Sequence, residues 1–230
     1  IAGQGTGNLS TLAGATFDPL KLGFVGQGLG SITGALFNAV SARTTHVALN
    51  TAGGALVPLF LDSPAFAAKK NVLISTLAAG GMPPGTPGFD TFLGILQWIL
   101  DPADPANVGY RLTHGVDVTQ GSITYTAPNA ARAAFLPFIE GDQVIPNSSS
   151  VALIGSANRA FTLTPPGYGC VSPLFCYEFT EAGDGFDATT ATLATRTGFL
   201  LQPPTGTAGI AITTKAQTQV ATFLATGVLP

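Results

Sequence analysis

Across five residues, Gly26-Gln27-Gly28-Leu29-Gly30, the spacing of apolar side chains changes, and this limits the possible folds more than any other feature of the chain. Before the change, Leu20, Leu22, Phe24 and Val25 follow a turn signal at Asp18-Pro19 and read as a short buried strand within Thr16 to Val25. After it, Leu29, Ile32, Leu36, Phe37 and Val40 recur at helical spacing until Ser41-Ala42-Arg43. Val47, Ala48 and Leu49 then form a second apolar strand, stopped by Asn50 and the Ala52-Gly53-Gly54 turn. A strand, a tight turn, a helix and a strand within about 35 residues predict a βαβ unit, whose parallel strands require a right-handed crossover.

The remainder fits an α/β domain interrupted by an insertion. Pro64 to Leu77 and Phe89 to Leu100 are apolar helical segments separated by Gly80-Gly81-Met82-Pro83-Pro84-Gly85-Thr86-Pro87-Gly88, with no strand signal between them. They predict a helical cap inserted over 55–130, in which Trp98, Ile95, Leu96, Ile99 and Leu100 pack against the body of the protein or line an apolar pocket. A Thr- and Gly-rich stretch without a clear period follows Asp101-Pro102-Ala103-Asp104-Pro105. Ala133 to Ile139 reads as a third buried strand despite Pro137, and a helix is expected from about Asn147 to Asn158. A Gly198-Phe199-Leu200-Leu201 run and a Thr-rich helix from about Ala208 to Thr226 complete a single domain over 1–230, without internal repeats.

Composition excludes several function classes. Charged residues make up 9% of the chain and the net charge is −3, with nine scattered basic residues, so there is no electrostatic footprint for nucleic acid. No apolar run reaches the ~20 residues of a membrane-spanning helix. Cys170 and Cys176 enclose Val-Ser-Pro-Leu-Phe, a spacing that suits a small disulfide loop in an exported protein better than a metal site. His46 and His114 lack nearby Glu or Cys ligands, so no metal is expected. The chain opens at Ile1 with neither a leader nor Met, which suggests a processed product or a fragment, and secretion to the cell surface or periplasm is inferred.

A strand, a Gly turn and a helix form the layout of a nucleophile elbow, G-x-S-x-G, in which a strained turn lifts one side chain above the sheet. Gly28 stands where the serine belongs. A dinucleotide fingerprint is a poor fit, because Gly26, Gly28 and Gly30 are spaced by two and Ala48, Leu49 and Asn50 stand where an acidic residue should follow; no cofactor is expected. Ser31 is the hydroxyl nearest the turn and reads as a helix-start residue.

The order of elbow, βαβ unit, helical cap, strand with Gly141-Asp142-Gln143-Val144-Ile145-Pro146-Asn147, and Gly-Phe-Leu-Leu with a terminal helix resembles the second half of an α/β-hydrolase. It is most similar to secreted bacterial lipase and esterase-like proteins. The resemblance implies a parallel sheet flanked by helices, with Asp142 at the triad-acid position and the general base just before Gly198, where Thr197 stands. Asp142 reads equally well as a residue that binds turn amides or caps the following helix. Serine and histidine are both replaced, and neither His46 nor His114 stands where the base belongs. Only about 20 residues precede the elbow strand, so the family's front strands are expected to be absent from this chain and supplied by a second chain or by copies of itself.

These features predict a catalytically impaired, hydrolase-derived secreted protein acting as a structural or binding subunit. The alternative is an active serine carboxylic-ester hydrolase whose sequence here is truncated or imperfect, and a weaker one is a binder of acyl or ester ligands in the old pocket.

Overall fold

Four parallel strands organise the molecule, in the order β1-β2-β5-β6. The computed structural model describes residues 22–41, 43–114, 118–120, 123–125, 132–158, 168–185, 196–203 and 206–230. In chain order the elements begin with β1 (Gly23–Gln27), α1 (Leu29–Val40) and β2 (His46–Asn50). Next come α2 (Leu56–Asp62), a 3-10 turn at Pro64–Phe66, α3 (Ala67–Ala79), α4 (Pro87–Leu100) and α5 (Pro105–Val108). A two-stranded antiparallel hairpin, β3 (Val118–Gln120) with β4 (Ile123–Tyr125), precedes β5 (Ala133–Ile139) and α6 (Asn147–Ala157). The last elements are β6 (Leu174–Phe179), α7 (Glu181–Asp184) and α8 (Gly206–Thr226).

The expected βαβ unit is present: Gly23 to Gln27 run parallel to His46 to Asn50 on either side of α1. The Asp18-Pro19 turn expected ahead of it lies outside the described residues. β2 pairs in parallel with β5 from His46–Ala133 to Ala48–Phe135, and β5 pairs in parallel with β6 from Ala134–Leu174 to Ile139–Phe179. Pro137 is tolerated in an interior strand because it lies beyond the last β2 pairing, at Phe135, while its carbonyl accepts from Thr51 N.

Both faces of the sheet are covered, so β5 reads as one apolar run without alternation. On one face Val47, Leu49, Ala134, Leu136 and Phe138 pack with Ala35 of α1 and with Leu153 and Ile154 of α6. On the other, Ala48, Phe135, Ile139 and Phe179 pack with Phe199, Leu200 and the Ile212, Ala216, Val220 and Phe223 side of α8. The chain is therefore an α/β protein with a parallel sheet flanked by helices.

Two sequence expectations change. The segment at the cysteines is more than a loop: Leu174–Phe179 is the fourth strand, and the Cys170–Cys176 disulfide joins it to the segment before it. Glu178 hid this strand, because a carboxylate on a covered sheet face is tolerated only when it is bonded. Here Tyr168 Oη donates to its Oε2 at 2.5 Å and Asn147 Nδ2 to its Oε1 at 2.8 Å.

The second change concerns Trp98. Between β2 and β5 lie α2 to α5 and the hairpin, anchored by buried Asp104. Its Oδ1 accepts from Ala55 N and Ala106 N at 2.9 Å, and its Oδ2 accepts from Leu56 N at 2.8 Å. Phe89 of α4 is buried and Leu96 and Leu100 are half-buried, but Trp98 is 75% exposed, Ile99 64% and Ile95 51%, so the expected packing of these three against the body does not occur.

Candidate functional site

In an open parallel sheet the loops that follow neighbouring strands gather at the carboxyl edge, where such folds place their ligands. Here that edge brings together the turn after β1, the Asn50-Thr51 corner after β2, the loop after β5 and Thr197. Gly26 and Gly28 make the first turn possible for different reasons. A Cβ on Gly26 would stand 2.6 Å from Gly30 O and 2.9 Å from Ser31 Cα, so the strand passes into the helix with no room for a side chain. Gly28 has φ 56° and ψ −120°, outside both helical regions, a conformation that a residue with a Cβ adopts only under strain. A Cβ built on Gly28 points at Thr197, 3.2 Å from its Cγ2.

A continuous chain of hydrogen bonds connects these loops. Gly28 N donates to Asn50 O at 3.0 Å and to Thr51 Oγ1 at 3.2 Å. Thr51 Oγ1 in turn donates to Thr197 O at 3.2 Å, and Thr197 Oγ1 donates to Asp142 Oδ1 at 2.5 Å. The backbone N–H groups of Val144 and Ile145 also donate to Asp142 Oδ1, at 2.8 and 3.0 Å, so this oxygen organises the turn as a capping residue would. Asp142 Oδ2 is buried and has no hydrogen-bond partner among the described residues. Arg196 Nη1 clamps the same loop by donating to Gly141 O at 2.9 Å and Glu140 O at 3.2 Å.

Burial raises the Asp142 pKa above the ordinary carboxylate value. Its bonds from Thr197, Val144 and Ile145 and the Arg196 charge oppose that rise without cancelling it. The result is a carboxyl group with one oxygen fully engaged and the other without a donor among the described residues. Asn50 Oδ1 is a second buried acceptor at this edge without a partner among the described residues.

The three positions singled out from sequence, Gly28, Asp142 and Thr197, thus meet at one place, although the first and last lie 169 positions apart in the chain. The other candidates lie elsewhere or are otherwise engaged. Ser31 is fully buried and donates to Asn50 O at 2.7 Å, tying the start of α1 to the end of β2. His46 opens β2, at the opposite end from the site, with Nδ1 2.8 Å from Leu224 O. His114 stacks on Tyr110 with ring centroids 4.3 Å apart, and its Nδ1 is 2.7 Å from Thr113 Oγ1. Among the described residues no three His, Cys, Asp or Glu side chains gather in a way that could hold a metal ion.

Sequence reasoning missed Thr51 and Arg196. Thr51 takes φ 48°, rare for a β-branched residue, to set its hydroxyl between Gly28 and Thr197. A polar Asn-Thr pair at the end of an apolar strand was the signal for it; Arg196 left none, since its role depends on the distant Gly141 loop. Chemically, the site brings together two hydroxyls that donate, Thr51 to Thr197 O and Thr197 to Asp142 Oδ1, and a buried carboxyl, with no imidazole beside it among the described residues. No family model, curated protein or solved structure matches this chain.

Proposed function

We propose that this chain is a catalytically impaired α/β-hydrolase-like protein, derived from a secreted lipase or esterase, that serves as a structural or binding subunit. One observation carries the reading. A strained glycine turn between strand and helix faces Thr197, which is bonded to the late-loop Asp142, so the three residues that this reading assigns to the nucleophile, base and acid positions are neighbours in space. The partnerless Asp142 Oδ2 supports it, since an oriented imidazole N–H would be its natural donor.

The expectation that a second chain, or further copies of this one, supplies strands ahead of β1 belongs to the same reading. Its support is that β1 is paired on one side only among the described residues, beside exposed Val25, Leu29, Phe37 and Val40. The Cys170–Cys176 disulfide favours an oxidising compartment, hence secretion or the cell surface or periplasm. No helix of the described residues is long and apolar enough to cross a membrane.

The test is turnover of a short-chain p-nitrophenyl ester and labelling by a fluorophosphonate. The unaltered chain gives neither, because loss of such a triad removes on the order of 10⁴- to 10⁶-fold of turnover. Gly28→Ser with Thr197→His, in the assembled protein, restores labelling at position 28. Labelling of the unaltered chain would establish the alternative, an active serine esterase. A folded double variant that takes up no label sinks the assignment of these positions.

A further inference from the structure

After α8 the chain reverses at Gly227, whose φ is 76°, and Leu229 packs against the core cluster on the α8 side of the sheet. Pro230 is thereby brought back beside the helix, and together they line a cavity of about 560 Å³. Ala211, Thr214, Lys215, Thr218 and Gln219 form the helix wall, and their spacing puts them on one face. The volume lies within the roughly 300–1,000 Å³ of small-molecule sites.

One atom of this wall is in deficit. Gln219 is 8% exposed, and its Oε1 is buried without a hydrogen-bond partner among the described residues. A buried acceptor in that state has given up water for nothing, and a donor entering the cavity would satisfy it. The groups around it define what carries that donor. Lys215 Nζ donates to Asp184 Oδ1 at 2.5 Å and to Tyr177 Oη at 2.7 Å, which leaves the third of its protons for a ligand. Thr214 Oγ1 donates to Ile210 O at 2.9 Å and Thr218 Oγ1 to Thr214 O at 2.8 Å, so both hydroxyls remain as acceptors. The lysine charge is balanced by Asp184, whose side chain is buried, so the wall has no net charge with which to hold an ion.

We propose that this cavity binds a neutral polyol, a monosaccharide or a smaller one. One hydroxyl donates to Gln219 Oε1, and others donate to Thr214 and Thr218 and accept from Lys215. A hydroxyl both donates and accepts, and a neutral molecule carrying several of them matches three acceptors and one donor within two helical turns. An ester or an acyl chain has no donor to offer. Ala211 and Pro230 give the C–H face of the ligand an apolar surface. None of the lining residues belongs to the Gly28, Asp142 and Thr197 site, so this inference is independent of the hydrolase reading.

The full chain, labelled with nitrogen-15 and assigned through its backbone, is titrated with methyl glucopyranoside and, separately, with sodium acetate. The Gln219 side-chain amide signals shift along a saturable curve with a millimolar midpoint, unlike the linear drift produced by a polyol that is merely excluded from the surface. Raised salt leaves the curve in place, and acetate does not reproduce it. Gln219→Leu removes the unpaired acceptor, so its urea midpoint is at or above that of the unaltered protein while its affinity for the glucoside falls at least tenfold. Lys215→Met weakens binding several-fold, and the titration of the unaltered chain stands without either variant. Linear, unsaturated shifts overturn the proposal, as does a folded Gln219→Leu that binds as tightly as the unaltered protein. A saturable response to acetate that salt abolishes would make this an anion site of Lys215 and overturns it as well.

Discussion

The three glycines of the strand-to-helix turn are alike in sequence but not in the structure, and substituting each by alanine separates their roles. At Gly30 a Cβ meets nothing within 4 Å, so Gly30→Ala adds a better helix former and is stabilising by roughly 0.5–1 kcal/mol. At Gly28 a Cβ meets Thr197 Cγ2 at 3.2 Å, a contact a small shift relieves, but φ of 56° with ψ of −120° imposes strain of about 1–3 kcal/mol. At Gly26 a Cβ falls 2.6 Å from Gly30 O and 2.8 Å from Gly30 C. Both are backbone atoms that move only with α1, so Gly26→Ala is destabilising by about 3 kcal/mol or more. For a chain this long that displaces the melting temperature downward by roughly 6–12 °C. Urea unfolding of the three variants, with the slope unchanged, gives the order Gly30→Ala above the unaltered protein, then Gly28→Ala, then Gly26→Ala. If Gly28→Ala matches the unaltered protein, the turn is not strained and the elbow geometry is wrong. If Gly26→Ala is no worse than Gly30→Ala, the close approach of strand and helix does not exist.

Asp142 and the disulfide supply two further predictions. Because burial raises the folded-state pKa of Asp142 above its unfolded value, the folded state binds the proton more tightly, and this group's contribution to stability falls as pH rises from the unfolded pKa through the folded one. Urea midpoints across that acidic window decline with pH in the unaltered protein and flatten in Asp142→Asn, whereas Thr197→Val, which removes a bond that lowers the pKa, moves the decline to higher pH; a Thr197→Val profile that moves the other way refutes the arrangement. Reducing Cys170–Cys176 opens a loop spanning six positions, worth about 2 kcal/mol by chain entropy, so the urea midpoint falls correspondingly under reductant and the Cys170→Ser protein no longer responds to it.

Local pattern sufficed wherever one period of apolar residues was decisive. The alternation of strand and helix from Phe24 to Leu49 was readable because the period changes across the glycines, and β5 because a strand covered on both faces is apolar throughout. The cysteine spacing was enough for the disulfide. Tertiary structure alone decided the rest. β6 contains Glu178, which is acceptable inside only because Tyr168 and Asn147 arrive from other segments to bond it. α4 is apolar over most of its circumference, with Asp90 and Gln97 together on one side, so its composition could not say that Trp98 faces outward. The meeting of Gly28, Thr51, Asp142 and Thr197 follows from the parallel order of β1, β2 and β5, which sets loops far apart in the chain side by side at one edge of the sheet. Sequence determines which segments are strands and helices through short-range spacing; which loops share an edge, and which buried polar atoms find partners, depends on contacts that no local window contains.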